Sequence, residues 1–175
     1  KLLLVPALLV SFLASVSAFA VDGLAVIDMR TAVLATQVSK ATFTALEEES
    51  EYAGNVERAQ LLQADRQAIA EKLQKDGETL SQAEITQMQK DIQDKTKDLE
   101  FIVGKIQAKQ NDTAEQVFAD LNPLLQKILS ELIAAKEVKV LLGRDQVLFA
   151  DSALDLTDDV TSMLDVAAAD GADKK

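Results

Sequence analysis

The feature that most limits what this chain can become is an apolar stripe that doubles back on itself. From Thr31 to Ala135 the only proline is Pro123, and the glycines are Gly54, Gly77 and Gly104. Val56, Ala59, Leu62, Ile69 and Leu73 lie before a break at "KDGETLSQAEI", Lys75 to Ile85. Ile85, Met88, Ile92, Leu99, Ile102 and Ile106 lie after it. Their steps are mostly three, four or seven, which keeps apolar side chains on one side of a helix. Leu73 with Ile85, Ala59 with Leu99, Val56 with Ile102 and Tyr52 with Ile106 share one index sum, as residues facing each other across an antiparallel pair must. Two helices of about 37 residues each would make an arm roughly 55 Å long at 1.5 Å per residue.

The break has its own chemistry. Gly77 suits the left-handed residue that ends a helix. Ser81 and Glu84 have capping-box spacing, and Leu80 and Ile85 occupy the two positions of a hydrophobic staple around that cap. The arm is expected over about 40–117, with its tip at 76–81. The stripe is thin, because Gln, Glu, Asp and Lys fill the remaining positions, so a lone two-helix arm leaves apolar surface exposed along its length.

Short strand signals stand at both ends of this helical span. "LAVIDM" at 24–29 is one, and "VKVLLGRDQVLFA" supplies two more at 138–142 and 147–150, joined by a hairpin-like "GRDQ". Between arm and strands, "LNPLLQKILSELIAAKEV" carries Leu124, Leu125, Ile128, Leu129, Leu132 and Ile133 on a wide apolar face suited to a core. Pro123 is expected to kink or restart the helix there. "LDLTDDVTSMLD" reads as a short closing helix, with Asp155 or Thr157 as its N-cap. Residues 167–175 read as a frayed tail. The fold class is therefore mainly α, with a small β body and a long helical hairpin projecting from it. Three short strands make a poor core in water, so the body is expected to need other copies of the chain.

Composition removes several functions. With 18 Lys+Arg against 29 Asp+Glu, the net charge of −11 disfavours a nucleic-acid partner. The chain has no Cys and no His, which excludes thiolate chemistry and the commonest general base and metal ligand. Asp155, Asp158 and Asp159 read as helix capping, and Glu47, Glu48 and Glu49 as a solvated helix face, so no enzyme, metal site or cofactor is expected. There is no G-x-x-x-x-G-K phosphate loop. The first twenty residues, "KLLLVPALLVSFLASVSAFA", have the charged, apolar and A-x-A order of a secretory signal. Cleavage is expected after Ala20, leaving a single domain over 21–166 and the tail.

Taken in order, the signal, "LAVIDMRTAVLATQ", the helical span, Pro123 in "LNPLLQKI", "VKVLLGRDQVLFA" and "LDLTDDVTSML" resemble the Skp (OmpH-like) periplasmic chaperones over essentially the whole mature chain. The resemblance implies a homotrimer whose strands form a small barrel, with three arms enclosing a cavity. Unfolded outer-membrane proteins would be held there without ATP. The client contacts expected on this arm are Leu62, Ile69, Leu73, Ile85, Met88 and Ile92, and the expected trimer-body residues are Val26, Ile27, Val140 and Leu141. Lipopolysaccharide binding, which suits the basic arms of well-known members, is not carried over. Here Lys40 to Gln110 holds ten basic and fourteen acidic residues, a net of −4. The rival reading is a structural or adaptor protein of the cell envelope that uses the arm as a coiled-coil spacer.

Overall fold

The computed structural model describes residues 23–172, so the expected signal and its cleavage site lie outside the described residues. The chain runs β1 (Leu24–Ile27), α1 (Met29–Leu34), α2 (Gln37–Glu48), α3 (Ser50–Asp76), α4 (Gln82–Ala135), β2 (Val140–Gly143) and α5 (Thr157–Ala172), with 3₁₀ turns at Arg144–Gln146 and Ser152–Leu154.

β1 and β2 form a two-stranded parallel sheet in which Leu24 faces Val140 and Ile27 faces Gly143. Parallel neighbours cannot be joined by a tight turn and need a crossover. The whole helical hairpin serves as that crossover, which is why the first strand has its partner so far along the chain. β1 stops at Ile27, short of the expected 29, because Asp28 caps α1. Its carboxylate accepts the Thr31 N–H at 2.9 Å and the Thr31 hydroxyl at 2.7 Å.

The third expected strand is not present. After β2 the chain enters the Arg144–Gln146 turn, and 147–150 is in no ladder. The far edge of β1 is already taken: Asp155 bridges Val26, and the Leu156 N–H donates to the Val26 carbonyl at 2.9 Å. The expected hairpin partner is β2, whose outer edge stays unpaired among the described residues because a 3₁₀ turn at Arg144–Gln146, and not a tight hairpin reversal, follows it. Leu148 and Phe149 consequently stand out, at 108% and 84% relative exposure.

α4 spans 54 residues and passes through Pro123 without ending, so the expected restart does not occur. Pro123 and Ala119, whose carbonyl loses its helical partner there, are both on the exposed side, where water can satisfy it. Leu121 and Leu125 on either side are buried and hold the helix down. The core is built where this part of α4 meets β1, α1 and α5, around Ile27, Val33, Leu125, Ile128, Val160 and Leu164. Of the six residues expected on that face, Leu125, Ile128 and Leu132 are buried and Leu124, Leu129 and Ile133 are half-buried.

α4 closes with a Schellman pattern, Val138 N–H to the Ile133 carbonyl at 3.0 Å and Glu137 N–H to the Ala134 carbonyl at 3.4 Å. Glu137 holds the left-handed position at φ 52°, where glycine is usual. Gly23, at φ 87°, meets this corner, and its carbonyl accepts the N–H groups of Lys139 and Val140. A side chain there would be strained and would strike the Lys139 stem.

Candidate functional site

The arm is α3 packed antiparallel on the first half of α4. Its tip forms as the spacing of Ser81 and Glu84 requires. The Ser81 hydroxyl accepts the Glu84 N–H at 3.3 Å, while the Glu84 carboxylate accepts the Ser81 N–H at 2.8 Å. The Ser81 hydroxyl also donates to that carboxylate, and these bonds hold the Glu84 pKa below its usual value, the hydroxyl contributing most. Leu80 and Ile85 are half-buried beside the cap.

Gly77 differs from expectation: its φ of −54° is right-handed helical. Glycine is needed there for another reason, since a Cβ would lie 2.6 Å from the Leu73 carbonyl oxygen. The Thr79 and Leu80 N–H groups, both donating to the Asp76 carbonyl, complete the turn.

Three cross-helix polar contacts give the register of the two helices. Lys95 Nζ lies 2.7 Å from Asp65, Gln110 Nε2 donates to Tyr52 Oη at 2.7 Å, and Lys109 Nζ is 3.2 Å from Glu49. Lys95 therefore tolerates its place near the apolar seam because Asp65 neutralises it. At the root, Tyr52 and Ile102 are buried. From Ala53 to Phe101 no residue is buried.

The six residues expected to touch a client, Leu62, Ile69, Leu73, Ile85, Met88 and Ile92, are all half-buried along this outer arm. They share the seam and each keeps some surface open. The most exposed large apolar side chains on the arm are others, Leu61 at 60% and Phe101 at 65%. Lys105 Nζ sits 5.2 Å from the centre of the Phe101 ring. Both residues fall off the stripe, and that departure from periodicity was the available signal.

The incoming side of the arm is broken near its root. α2 ends at Glu48, Glu49 is extended at φ −66° and ψ 123°, and α3 restarts at Ser50 without a side-chain cap. This break divides the single incoming helix that the apolar periodicity predicts. α4 passes it unbroken, and the Lys109–Glu49 contact ties the two sides together.

In the body, the four residues expected at a trimer interface divide. Val26 and Ile27 are buried within the single chain, Leu141 is half-buried, and Val140 is 48% exposed. The open apolar surface of the body includes Val140, Leu148 and Phe149, with Met29 and Val166 also exposed. The carboxylate cluster behind them is structural. Asp155 accepts both the N–H and the hydroxyl of Thr157 and pairs with Arg144 at 3.2 Å. Asp158 and Asp159 sit in the first turn of α5, where negative charge complements the helix dipole. Among the described residues no helix is long and apolar enough to cross a membrane.

Comparison with known proteins places this geometry. The family described as "Outer membrane protein (OmpH-like)" matches residues 23–164. A protein named "Chaperone protein Skp" from Yersinia enterocolitica is 28% identical over 127 residues, covering 71% of this chain and 76% of that protein. One of the same name from Pectobacterium atrosepticum is 27% identical over 150 residues, covering 84% and 88%. A solved OmpH-like structure from Caulobacter crescentus CB15 matches with a TM-score of 0.47 and 23% identity, covering 83% of this chain and 85% of that one. With the match running from the residue before β1 into α5, the chain belongs to the OmpH-like family.

Proposed function

We propose that the mature chain is an ATP-independent holdase of the periplasm, exported after cleavage following Ala20. It would keep unfolded outer-membrane proteins from aggregating in a space between the arms of a homotrimer. The observation that carries this reading is the outer arm. Over 53–101 two helices share a thin apolar seam in which no residue is buried. Such a surface offers many weak, directionless contacts, each worth about 25 cal/mol per Å² covered, and holds a chain without imposing a shape on it. Leu62, Ile69, Leu73, Ile85, Met88 and Ile92 would supply these contacts by turning part of their surface outward.

The trimer rests on the body. Val140, Leu148 and Phe149 expose apolar surface beside a sheet of only two strands, and a second chain would cover it. Membership of the OmpH-like family and the chaperone names of the Yersinia and Pectobacterium relatives support the same reading. The net negative arm supports no lipopolysaccharide role, and the carboxylates near Arg144 are occupied in capping rather than catalysis.

The test removes Leu62 through Thr96, which shortens both helices to the same level. The body should still assemble, and protection of an unfolded barrel against aggregation should be lost. Full protection by the armless assembly would reject the holdase reading in favour of an adaptor with an inert arm.

A further inference from the structure

The two flanks of the arm carry different chemistry. Every seventh residue from Tyr52 to Leu73 on α3, and from Ile85 to Ile106 on α4, is buried or half-buried and forms the inner row of the seam. At 3.6 residues per turn, the residue one place before each row position lies on one flank. The residues one and four places after it lie on the other. An antiparallel pair has two-fold symmetry, so the same step leads to the same flank on both helices. The structure agrees: Glu51 and Lys105, each one place before a row residue, line one cavity with Asn55 and Asp112.

The eight residues one place before the row, from Glu51 to Lys105, are all charged, five acidic and three basic. The positions one and four places after it hold eight glutamines, and only alanine, valine, threonine and glycine fill the rest, apart from Glu100. Charge is thus sorted to one flank, and the other is a neutral strip beside the half-open seam.

The amides on that strip are largely unused. Gln67 donates to Glu71 at 3.0 Å and Gln110 to Tyr52 at 2.7 Å. Gln60, Gln63, Gln74, Gln89, Gln93 and Gln107 are exposed, and among the described residues their side chains have no hydrogen-bond partner. A primary amide carries a donor and an acceptor together, as a peptide group does. An unfolded chain presents many peptide groups that no secondary structure has paired. Covering a neutral strip also avoids the cost of stripping water from charges.

We propose that the glutamine flank is the face of the arm that takes an unfolded polypeptide, its amides bonding to the peptide groups while the adjoining seam covers apolar side chains. Resting on the holdase reading, this names the client class: unfolded chains of either charge, recognised by their backbone.

Two permanently unfolded polypeptides, one net acidic and one net basic, serve as probes in fluorescence titrations. Wild type should bind both within about threefold of each other, and raising salt from about 50 to about 500 mM should change either affinity by less than about twofold, since neutral hydrogen bonds are not screened. Gln63→Met with Gln89→Met and Gln93→Met nearly keeps side-chain length and helix preference and removes three amides. That variant, with helix content checked by circular dichroism, should bind both probes about tenfold more weakly. Lys72→Ala with Asp98→Ala, on the charged flank, should bind as wild type does. Unchanged or tighter binding by the methionine variant would overturn amide recognition. A strong preference for one probe that fades with salt would move the contact to the charged flank and overturn the proposal as well. The chain has no cysteine, so Gln93→Cys tests the rival occupant, another arm. Client-free Gln93→Cys protein should form no interchain disulfide on oxidation, and chains joined at that position would make the flank an arm-to-arm contact instead. If wild type binds both probes through the flank yet lets an unfolded barrel aggregate, the holdase reading fails and the glutamine flank stands.

Discussion

The backbone N–H of Asp28 donates to the Thr157 hydroxyl at 2.9 Å, although 129 positions separate the two residues. This bond joins the end of β1 to the start of α5, and the same hydroxyl donates onward to Asp155. A second long-range bond, from Gln37 N–H to Asp165 at 2.7 Å, fastens α2 to the same helix. α5 is thus a clasp over the N-terminal segments.

Replacing Thr157 by Val keeps the shape and removes the hydroxyl, leaving the Asp28 N–H without its acceptor. The loss should be about 1–3 kcal/mol. Urea unfolding of Thr157→Val and Thr157→Ser checks it, with Ser near wild type. Equal midpoints for Val and wild type would show that the clasp is idle.

Acid should weaken the same region. The pKa of Asp28 is lowered, chiefly by the Thr31 backbone N–H and then by its hydroxyl, and that of Asp155 is lowered chiefly by the Thr157 hydroxyl. A carboxylate with a folded pKa below its unfolded value contributes stability that is fully present above the unfolded value of about 4. That contribution is lost as pH falls through the folded value. Stability should therefore hold steady from neutral pH to about pH 5 and drop below about pH 4. Asp155→Asn should give a shallower acid limb in unfolding experiments from pH 6 to pH 2; an unchanged limb would remove Asp155 from the account.

Glu137 holds a left-handed backbone in the Schellman close of α4. Glu137→Gly should raise stability by about 1 kcal/mol, because the site is strained for a residue with a Cβ. Its side chain is exposed, so little contact is lost. A lower melting temperature for the variant would contradict this.

Buried and exposed residues of the body should fail differently. Ile27 is 3% exposed within one chain, so Ile27→Asp places a charge in the core and should unfold the protein. Phe149 touches solvent, so Phe149→Asp should leave the helix content intact and yield monomers. Native mass spectrometry with circular dichroism separates the two results. A Phe149→Asp protein still assembled at micromolar concentration would exclude this residue from the interface.

Local chemistry and the antiparallel arm were legible in the sequence, and conditions set by distant surroundings were not. Ser81 and Glu84 announce a cap because the bonds they make span three residues, and the stripe from Val56 to Ile106 announces a seam because its period is intrinsic to the helix. The core face around Leu125, Ile128 and Leu132 was readable for the same reason. Val147 to Ala150 has strand-like residues, yet a hairpin also needs a tight reversal, and the 3₁₀ turn at Arg144–Gln146 leaves the outer edge of β2 unpaired among the described residues. Pro123 fits inside α4 because its side of the helix is solvated, and Gly77 answers to the Leu73 carbonyl rather than to a left-handed φ. Neither condition is written in the neighbouring residues. The stripe also drew attention from Leu61 and Phe101, exposed apolar residues of the arm that lie off it.

The parallel pairing of β1 with β2 also dictates an order of events when the chain folds. Leu24 meets Val140, so β1 is made first on the ribosome and completed last. Closing so long a loop directly is entropically costly and slow. The hairpin shortens it: once the tip at Ser81 forms and the helices zip toward the root, Glu49 and Lys109 are already adjacent, and a much shorter search remains. Arm amides on both sides of Ser81 should therefore gain hydrogen-exchange protection during refolding before those of Ala25 and Val26. Until they do, β1 is an apolar strand with no partner, so the protein has its own interval of aggregation risk to survive before its body exists.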